Sequence, residues 1–259
     1  MSNLDYVLHL ADNAVVLGQR NAEWCGHGPV LEEDIAMANN SLDLIGQARM
    51  LYQYAATLKN DGSTEDSLAY FREDKDFKNY TLLELPHHGA LVGYAVDNRD
   101  YAVTIVRNFL YSAFMALAWE KLQHSKDEHL AAIAAKSLKE VRYHLRHSHD
   151  WLIRFGDGTE ESNTRAQNAL NHLMPYTQEF WTTCAYESHA VEAGIGVSTG
   201  QIKSDWETLV GNTLAEAKLK LPSSEGFVTT GKHGAHSEHL SFLLNEMQSL
   251  ARAHPEGVW

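Results

Sequence analysis

Long stretches without proline constrain this chain most. Its five prolines, Pro29, Pro86, Pro175, Pro222 and Pro255, stand far apart in 259 residues. Between them run segments rich in Ala, Leu, Glu, Lys and Gln, which lose little rotamer freedom in a helix. Period-two alternation is nearly absent, and no Asn-Gly or Asp-Gly pair joins two β-branched runs, so hairpins are not expected. The pattern predicts an all-α fold.

The first predicted helix covers about residues 4–20, with Tyr6, Leu10, Asn13, Val16 and Leu17 on one face at three- and four-residue steps. Pro29 opens the second, about 30–58, as proline suits a first-turn position. Its predicted buried side carries Ile35, Ala38, Leu42, Ile45, Ala48 and Leu51. Shorter helices are expected at 65–71 and before Pro86. A third long helix, about 91–123, is apolar nearly all round at its centre, which marks a central element. Ser125 with Glu128 predicts a capping box for the fourth, about 126–155, stopped at Gly156-Asp157-Gly158. Further helices are expected at 161–184, kinked near Pro175, from Ser198 to Pro222, and at 235–253. Four long helices grouped two and two, with a long middle connection, predict a ferritin-like four-helix bundle with additional helices. One ferritin-like domain, 1–259, is expected, with a C-terminal helical extension over 161–253.

Lys and Arg total 21 against 34 Asp and Glu, a net charge of −13. That balance argues against nucleic acid or an anionic membrane as a main partner, since both need a basic patch. Cys25 and Cys184 form no CxxC motif. The first ten residues do not resemble a signal peptide. The most apolar stretch, Tyr111 to Trp119, is about half of a ~20-residue membrane span. A cytoplasmic location is expected.

A ferritin-like bundle raises the question of a di-iron centre, which takes one Glu from each of two helices and a Glu-x-x-His pair from each of the others. Glu84 with His87 alone has that spacing, and Pro86 lies between them, where proline disrupts helical geometry. His144 and His147 sit one turn apart beside Arg142 and Arg146, without a carboxylate to complete a metal set. His233, His236 and His239 step by three. That spacing suits zinc, but His233 lies in a glycine loop whose Lys232 is as well placed to touch a partner subunit. Neither cysteine has a His/Asp pair nearby in sequence, so a nucleophilic role is not expected.

Four segments then carry a resemblance over essentially the whole chain. They are Glu23-Trp24-Cys25-Gly26-His27, Leu42-Asp43-Leu44-Ile45-Gly46-Gln47-Ala48-Arg49, Lys139-Glu140-Val141-Arg142-Tyr143-His144-Leu145-Arg146, and Thr230-Gly231-Lys232-His233-Gly234-Ala235-His236-Ser237-Glu238-His239-Leu240. The chain resembles the structural-subunit family of bacterial phenylacetyl-CoA epoxidases, from phenylacetate degradation. The resemblance implies a non-catalytic subunit of a multicomponent monooxygenase that epoxidises the aromatic ring of phenylacetyl-CoA. Its partners would be a homologous di-iron catalytic subunit, a reductase and small accessory subunits. Di-iron, FAD, an iron–sulfur cluster and NADPH would serve the complex through those other subunits, with no cofactor in this chain.

By the same resemblance, Leu44 stands where the catalytic paralogue has a ligand Glu, and Gln47 where it has His. Glu140 keeps a carboxylate position, and Tyr143 takes the imidazole position. The single-Glu positions fall near Asp12 or Asn13 and near Arg107 to Tyr111. Arg107 or Arg142 is expected to neutralise Glu140, with Gln47 and Tyr143 hydrogen-bonding to it. Two alternatives remain open at this stage: a di-iron oxidase in its own right, and a stand-alone ferritin-like storage or binding protein.

Overall fold

The computed structural model of the protein describes residues 3–88, 99–223 and 227–257. The fold is all-α and ferritin-like, with ten α-helices and no strand among the described residues. The chain divides into two compact units. The first comprises Met1–Leu85, Cys184–Ala190 and Thr230–Trp259, and the second Pro86–Thr183 and Val191–Thr229.

The first unit is built on α1 (Leu4–Ala22) and α2 (Leu31–Lys59), which pack along one another. Almost every residue of α1 is buried. Gly18 permits the approach, since a Cβ there would lie 3.2 Å from the Cβ of Leu44 on α2. Asn60, at φ 51°, ends α2, a left-handed cap that Asn tolerates better than most residues. Short helices α3 (Glu65–Tyr70) and α4 (Thr81–Glu84) follow. Thr64 caps α3 by accepting the Ser67 N–H at 3.1 Å.

The second unit is built on α5 (Tyr101–Leu122) and α6 (Glu128–Gly156), with α7 (Glu160–Leu173) and α9 (Thr199–Glu216) packed on them. By length and composition α5 would cross a membrane, but 94% of its apolar window is buried in the protein. The predicted start of this helix near residue 91 lies outside the described residues. The cap of α6 is Asp127, which accepts the Leu130 N–H at 3.0 Å, rather than the predicted Ser125. That hydroxyl instead donates to the Ile195 carbonyl at 2.9 Å. Gly156 ends α6 where a Cβ would fall 1.8 Å from the Ala217 carbonyl oxygen, so glycine is required there for close backbone approach.

The predicted helix over 161–184 is interrupted. Pro175 lacks the N–H that would continue α7, and Met174–Trp181 forms a 3-10 segment instead. A separate helix, α8 (Ala185–Glu192), follows, and α10 (Glu238–Ala253) closes the chain. Phe114, Phe180, Trp181 and Trp206 form an aromatic cluster in the second unit, and the Trp206 indole donates to the Leu110 carbonyl at 3.1 Å. Trp206 is buried and anchors this core, as an aromatic ring with its polar atom satisfied does.

The predicted buried side of α2 needs correction. Ala48 and Leu51 are buried, but Ile35, Leu42 and Ile45 are exposed. The covered face runs through Met37, Leu44, Gln47, Ala48, Leu51 and Ala55. The helix carries two apolar faces, and one of them is packed.

Candidate functional site

The first unit holds a set of buried charged and polar side chains, positioned by α1 and by the segments that pack on it. Asp12 on α1 is fully buried. Its carboxylate accepts the Tyr52 hydroxyl at 2.6 Å and the Lys78 backbone N–H at 2.8 Å, and forms an ion pair with Arg72. Burial opposes the charge on Arg72, but Asp12 and Tyr52 outweigh it and hold the guanidinium above its ordinary range. Burial, with Asp12 adding, pushes the Tyr52 hydroxyl well above its usual value. The carboxylate is thus neutralised and fully hydrogen-bonded, the condition under which a buried charge persists.

Next to Asp12 on α1, Asn13 accepts the Tyr80 N–H at 2.8 Å, which turns its amide nitrogen toward the His9 ring, 3.3 Å from Nε2. His9 Nδ1 donates to the Lys78 carbonyl at 2.6 Å. The ring therefore sits as the neutral Nδ1–H tautomer, with Nε2 accepting. Burial lowers its pKa below the usual histidine value.

A second carboxylate, Glu84 on α4, is wholly buried. It lies 2.8 Å from His236 Nδ1 and accepts the Asn79 amide at 2.9 Å and the Ser237 N–H at 2.5 Å. His236 Nε2 faces the Phe77 carbonyl at 3.0 Å. Both ring nitrogens thus meet acceptors, an arrangement that suits the imidazolium. A third carboxylate, Glu187 on α8, accepts Lys232 Nζ and the Cys184 N–H, at 2.8 and 2.7 Å. The Lys232 carbonyl takes the Tyr186 hydroxyl at 2.9 Å. Gly231 lets this loop in, because a Cβ there would be 2.5 Å from the Asn79 carbonyl oxygen.

The late motif is therefore an internal clasp. Lys232, expected to touch a partner subunit, is fully buried against Glu187. The histidine series does not converge: His236 binds Glu84, His233 lies 3.2 Å from Cys184 Sγ through Nε2, and the His239 carbonyl accepts Arg20 at 3.3 Å. The Cys184–His233 proximity was not legible in sequence. Burial, with Glu187 adding, pushes the Cys184 thiol up to about 11. A neutral thiol is a poor nucleophile, so this contact lacks the activation a catalytic cysteine needs. Glu84 and His87 also part company, since His87 Nδ1 takes Thr104 Oγ1 at 2.6 Å and Arg107 Nη2 at 2.9 Å in the second unit.

The positions singled out by resemblance fall as follows. Leu44 and Gln47 are buried on α2, offering a hydrocarbon and an amide. On α6 the buried face runs through Ser137, Val141, His144 and Ser148. Glu140 lies beside that face, half-exposed, and Tyr143 is 42% exposed. A turn of 100° per residue carries Tyr143 away from the core. Of the two arginines expected to neutralise Glu140, Arg142 pairs with Glu120 at 3.3 Å on the surface, and Arg107 Nη1 donates to the Pro86 carbonyl at 3.4 Å. His147 is half-buried one turn after His144. Among the described residues no three His, Cys, Asp or Glu side chains are gathered as a metal would require. Leu44 offers no donor atom and Gln47 only an amide, where a di-iron centre takes carboxylates and imidazoles projecting inward.

Sequence reasoning missed Arg72, Tyr52, His9 and Glu187. Their partners lie from tens of residues to 60 or more positions away, and no local spacing signals them.

A family model described as phenylacetic acid catabolic protein matches residues 1–259. The chain is 42% identical over 254 residues to a subunit of the 1,2-phenylacetyl-CoA epoxidase of Escherichia coli strain K12, covering 98% of each chain.

Proposed function

Because the chain belongs to the phenylacetic acid catabolic protein family, we propose that it is the non-catalytic structural subunit of a phenylacetyl-CoA ring epoxidase. Its Escherichia coli relative is one subunit of such an epoxidase, which supports membership in a multi-subunit assembly. In this reading the chain docks a homologous catalytic subunit and holds that subunit's helices in register. The di-iron centre, FAD, iron–sulfur cluster and NADPH electrons belong to the other subunits, and the complex is cytoplasmic.

One observation carries the proposal. Three buried carboxylates of the first unit, Asp12, Glu84 and Glu187, are each matched by a basic side chain of this same chain: Arg72, His236 and Lys232. A metal centre keeps its carboxylates together and open to the ion, because unpaired buried charge is costly without it. Here that charge is satisfied internally, so these groups stabilise shape rather than bind iron or act as general bases.

Iron analysis and activity together test the reading. The purified chain, incubated anaerobically with ferrous iron and desalted, is expected to retain far less than one iron per chain. About two per chain, the stoichiometry of a di-iron site, would overturn it. Epoxidation of phenylacetyl-CoA is expected from the complex with the catalytic subunit and reductase, and not from this chain with the reductase alone.

A further inference from the structure

A groove of about 620 Å³ runs between α3 and the second half of α10, the size of a site for a small organic molecule. Its apolar lining comes from Tyr70 and Phe71 at the end of α3 and from Met247 and Leu250 on α10. Phe71 is 42% and Leu250 58% exposed. Two large apolar side chains thus meet water together, where single ones are the ordinary case. The walls are fixed by contacts to backbone. Gln248 Nε2 donates to the Ala69 carbonyl at 3.0 Å and to the Arg72 carbonyl at 3.2 Å. Arg252 donates to the Tyr70 and Arg72 carbonyls at 3.2 and 2.8 Å and pairs with Glu73 at 3.1 Å. A groove held in shape this way needs little ordering when a ligand arrives.

Charge selects the occupant. Asp66, in the first turn of α3, lines the same groove, which holds His254 and no Lys or Arg. Among the described residues Asp66 has no ion-pair partner, and no cation stands over the Tyr70 or Phe71 ring. Its neighbour Glu65 takes Arg49 at 3.5 Å instead. Burial, with Asp66 adding, pushes the Tyr70 hydroxyl above its usual range, so the carboxylate's negative potential reaches the aromatic wall. An anionic ligand meets that carboxylate on a chain of net charge −13 and is repelled. A neutral apolar ligand covers Asp66 without pairing it, which costs free energy. An organic ammonium pairs with Asp66, sits beside rings that attract a cation, and covers Met247 and Leu250 with its apolar body.

We propose that the groove between α3 and α10 binds a small organic ammonium with a flat apolar body, its nitrogen at Asp66 and its body against Tyr70, Phe71, Met247 and Leu250. The groove lies within the first unit and shares no residue with the clasp at Glu187 and Lys232. The assignment does not depend on the structural-subunit reading.

The test titrates the full-length chain at pH 8 with naphthylmethylammonium and follows the methionine methyl groups by NMR, the Met247 signal being assigned through Met247→Leu. Saturable binding is expected, with the Met247 methyl shifted and that of Met37, buried in the first unit, unmoved. Naphthylmethanol, the neutral analogue, and naphthoate, an anion, are each expected to bind at least about fivefold more weakly, the scale of one exposed ion pair with a cation–π contact. Asp66→Asn is expected to remove most of that preference, and Leu250→Ser to weaken the ammonium severalfold. Glu216→Gln, exposed on α9, removes the same net charge and is expected to leave binding unchanged. No saturable shift of the Met247 methyl, or equal affinity for ammonium and alcohol, overturns the proposal. Equal losses in Asp66→Asn and Glu216→Gln overturn it too, because they report net charge and not the groove. Binding that appears only in a chain shortened to residues 1–257 gives the groove to Val258 and Trp259 and likewise overturns it.

Discussion

Glu84 Oε2 lies 2.8 Å from His236 Nδ1, joining side chains 152 positions apart in a pair with almost no side-chain exposure. The pair ties the segment before α10 to α4, and Asn79 and the Ser237 N–H complete the carboxylate's hydrogen bonds. Glu84→Gln keeps the shape and removes the charge, stranding the imidazolium. A loss of about 3 kcal/mol is expected in urea unfolding at neutral pH, the cost of breaking one side of a buried pair. A change below about 0.5 kcal/mol, the range of an ordinary surface substitution, would contradict this account.

Asp12, Tyr52 and Arg72 act as one group. Tyr52→Phe removes the hydroxyl that donates to Asp12 and accepts from Arg72, and an expected loss of about 1–2 kcal/mol follows from its hydrogen bonds. Asp12→Asn is expected to cost more, because it leaves Arg72 buried without its counter-charge. The double variant should fall short of the sum, since residues of one network couple. Urea midpoints of the three variants measure this.

Lys232 and Glu187 pair at 2.8 Å with almost no exposure. Lys232→Met is expected to destabilise by about 3–5 kcal/mol, as it leaves Glu187 uncompensated. Adding Glu187→Gln should recover part of that loss. A double variant less stable than Lys232→Met alone would show that the pair does not behave as a unit.

His9 predicts a pH dependence. Burial depresses its folded-state pKa below the ordinary 6.5, so below that value the unfolded chain binds a proton that the folded chain refuses. The stability His9 contributes is present above about pH 6.5 and falls as pH drops from there toward the folded pKa. Protonation would also turn Nε2 into a donor facing the Asn13 amide donor. His9→Gln is expected to flatten the decline in urea midpoint between about pH 7 and 5.5, within the histidine titration range. A parallel decline in wild type and variant would remove His9 as its source.

The two thiols should react at very different rates. Cys25 is exposed, whereas Cys184 is buried with its thiol pushed up to about 11 by burial and Glu187. Since the thiolate is the reactive form, a disulfide reagent at pH 8 should modify one equivalent quickly and the second only as the protein unfolds. Cys25→Ser should abolish the fast phase.

Helix content and order were legible in the sequence because they are local. The apolar periodicity of Tyr6 to Leu17 and the glycine stop after Phe155 are read over a few residues, and the structure places the ends of α1 and α6 within a few positions of them, whereas the helix expected to run kinked through Pro175 ends at Leu173. Whole-chain family membership was legible too, from four short segments, and the match over residues 1–259 bears it out. Local reading failed where a helix offers two similar faces. On α2 the three- and four-residue steps of Ile35, Leu42 and Ile45 are indistinguishable in kind from those of Leu44, Ala48 and Leu51, yet only the second set is buried against the rest of its unit. On α6 an error of one position sets Tyr143 in the core or in solvent, because each residue turns the helix by 100°.

The amino-acid order by itself determined an all-α chain of long helices, acidic in balance, with no Glu-x-x-His pair on a regular helix. Those are properties of composition and short-range spacing. Which charges meet was decided only by tertiary structure. Asp12 finds Arg72 60 positions away and Glu84 finds His236 after 152. The free energy of a buried pair depends on a separation of a few ångströms in a desolvated interior, and chain folding alone creates that proximity.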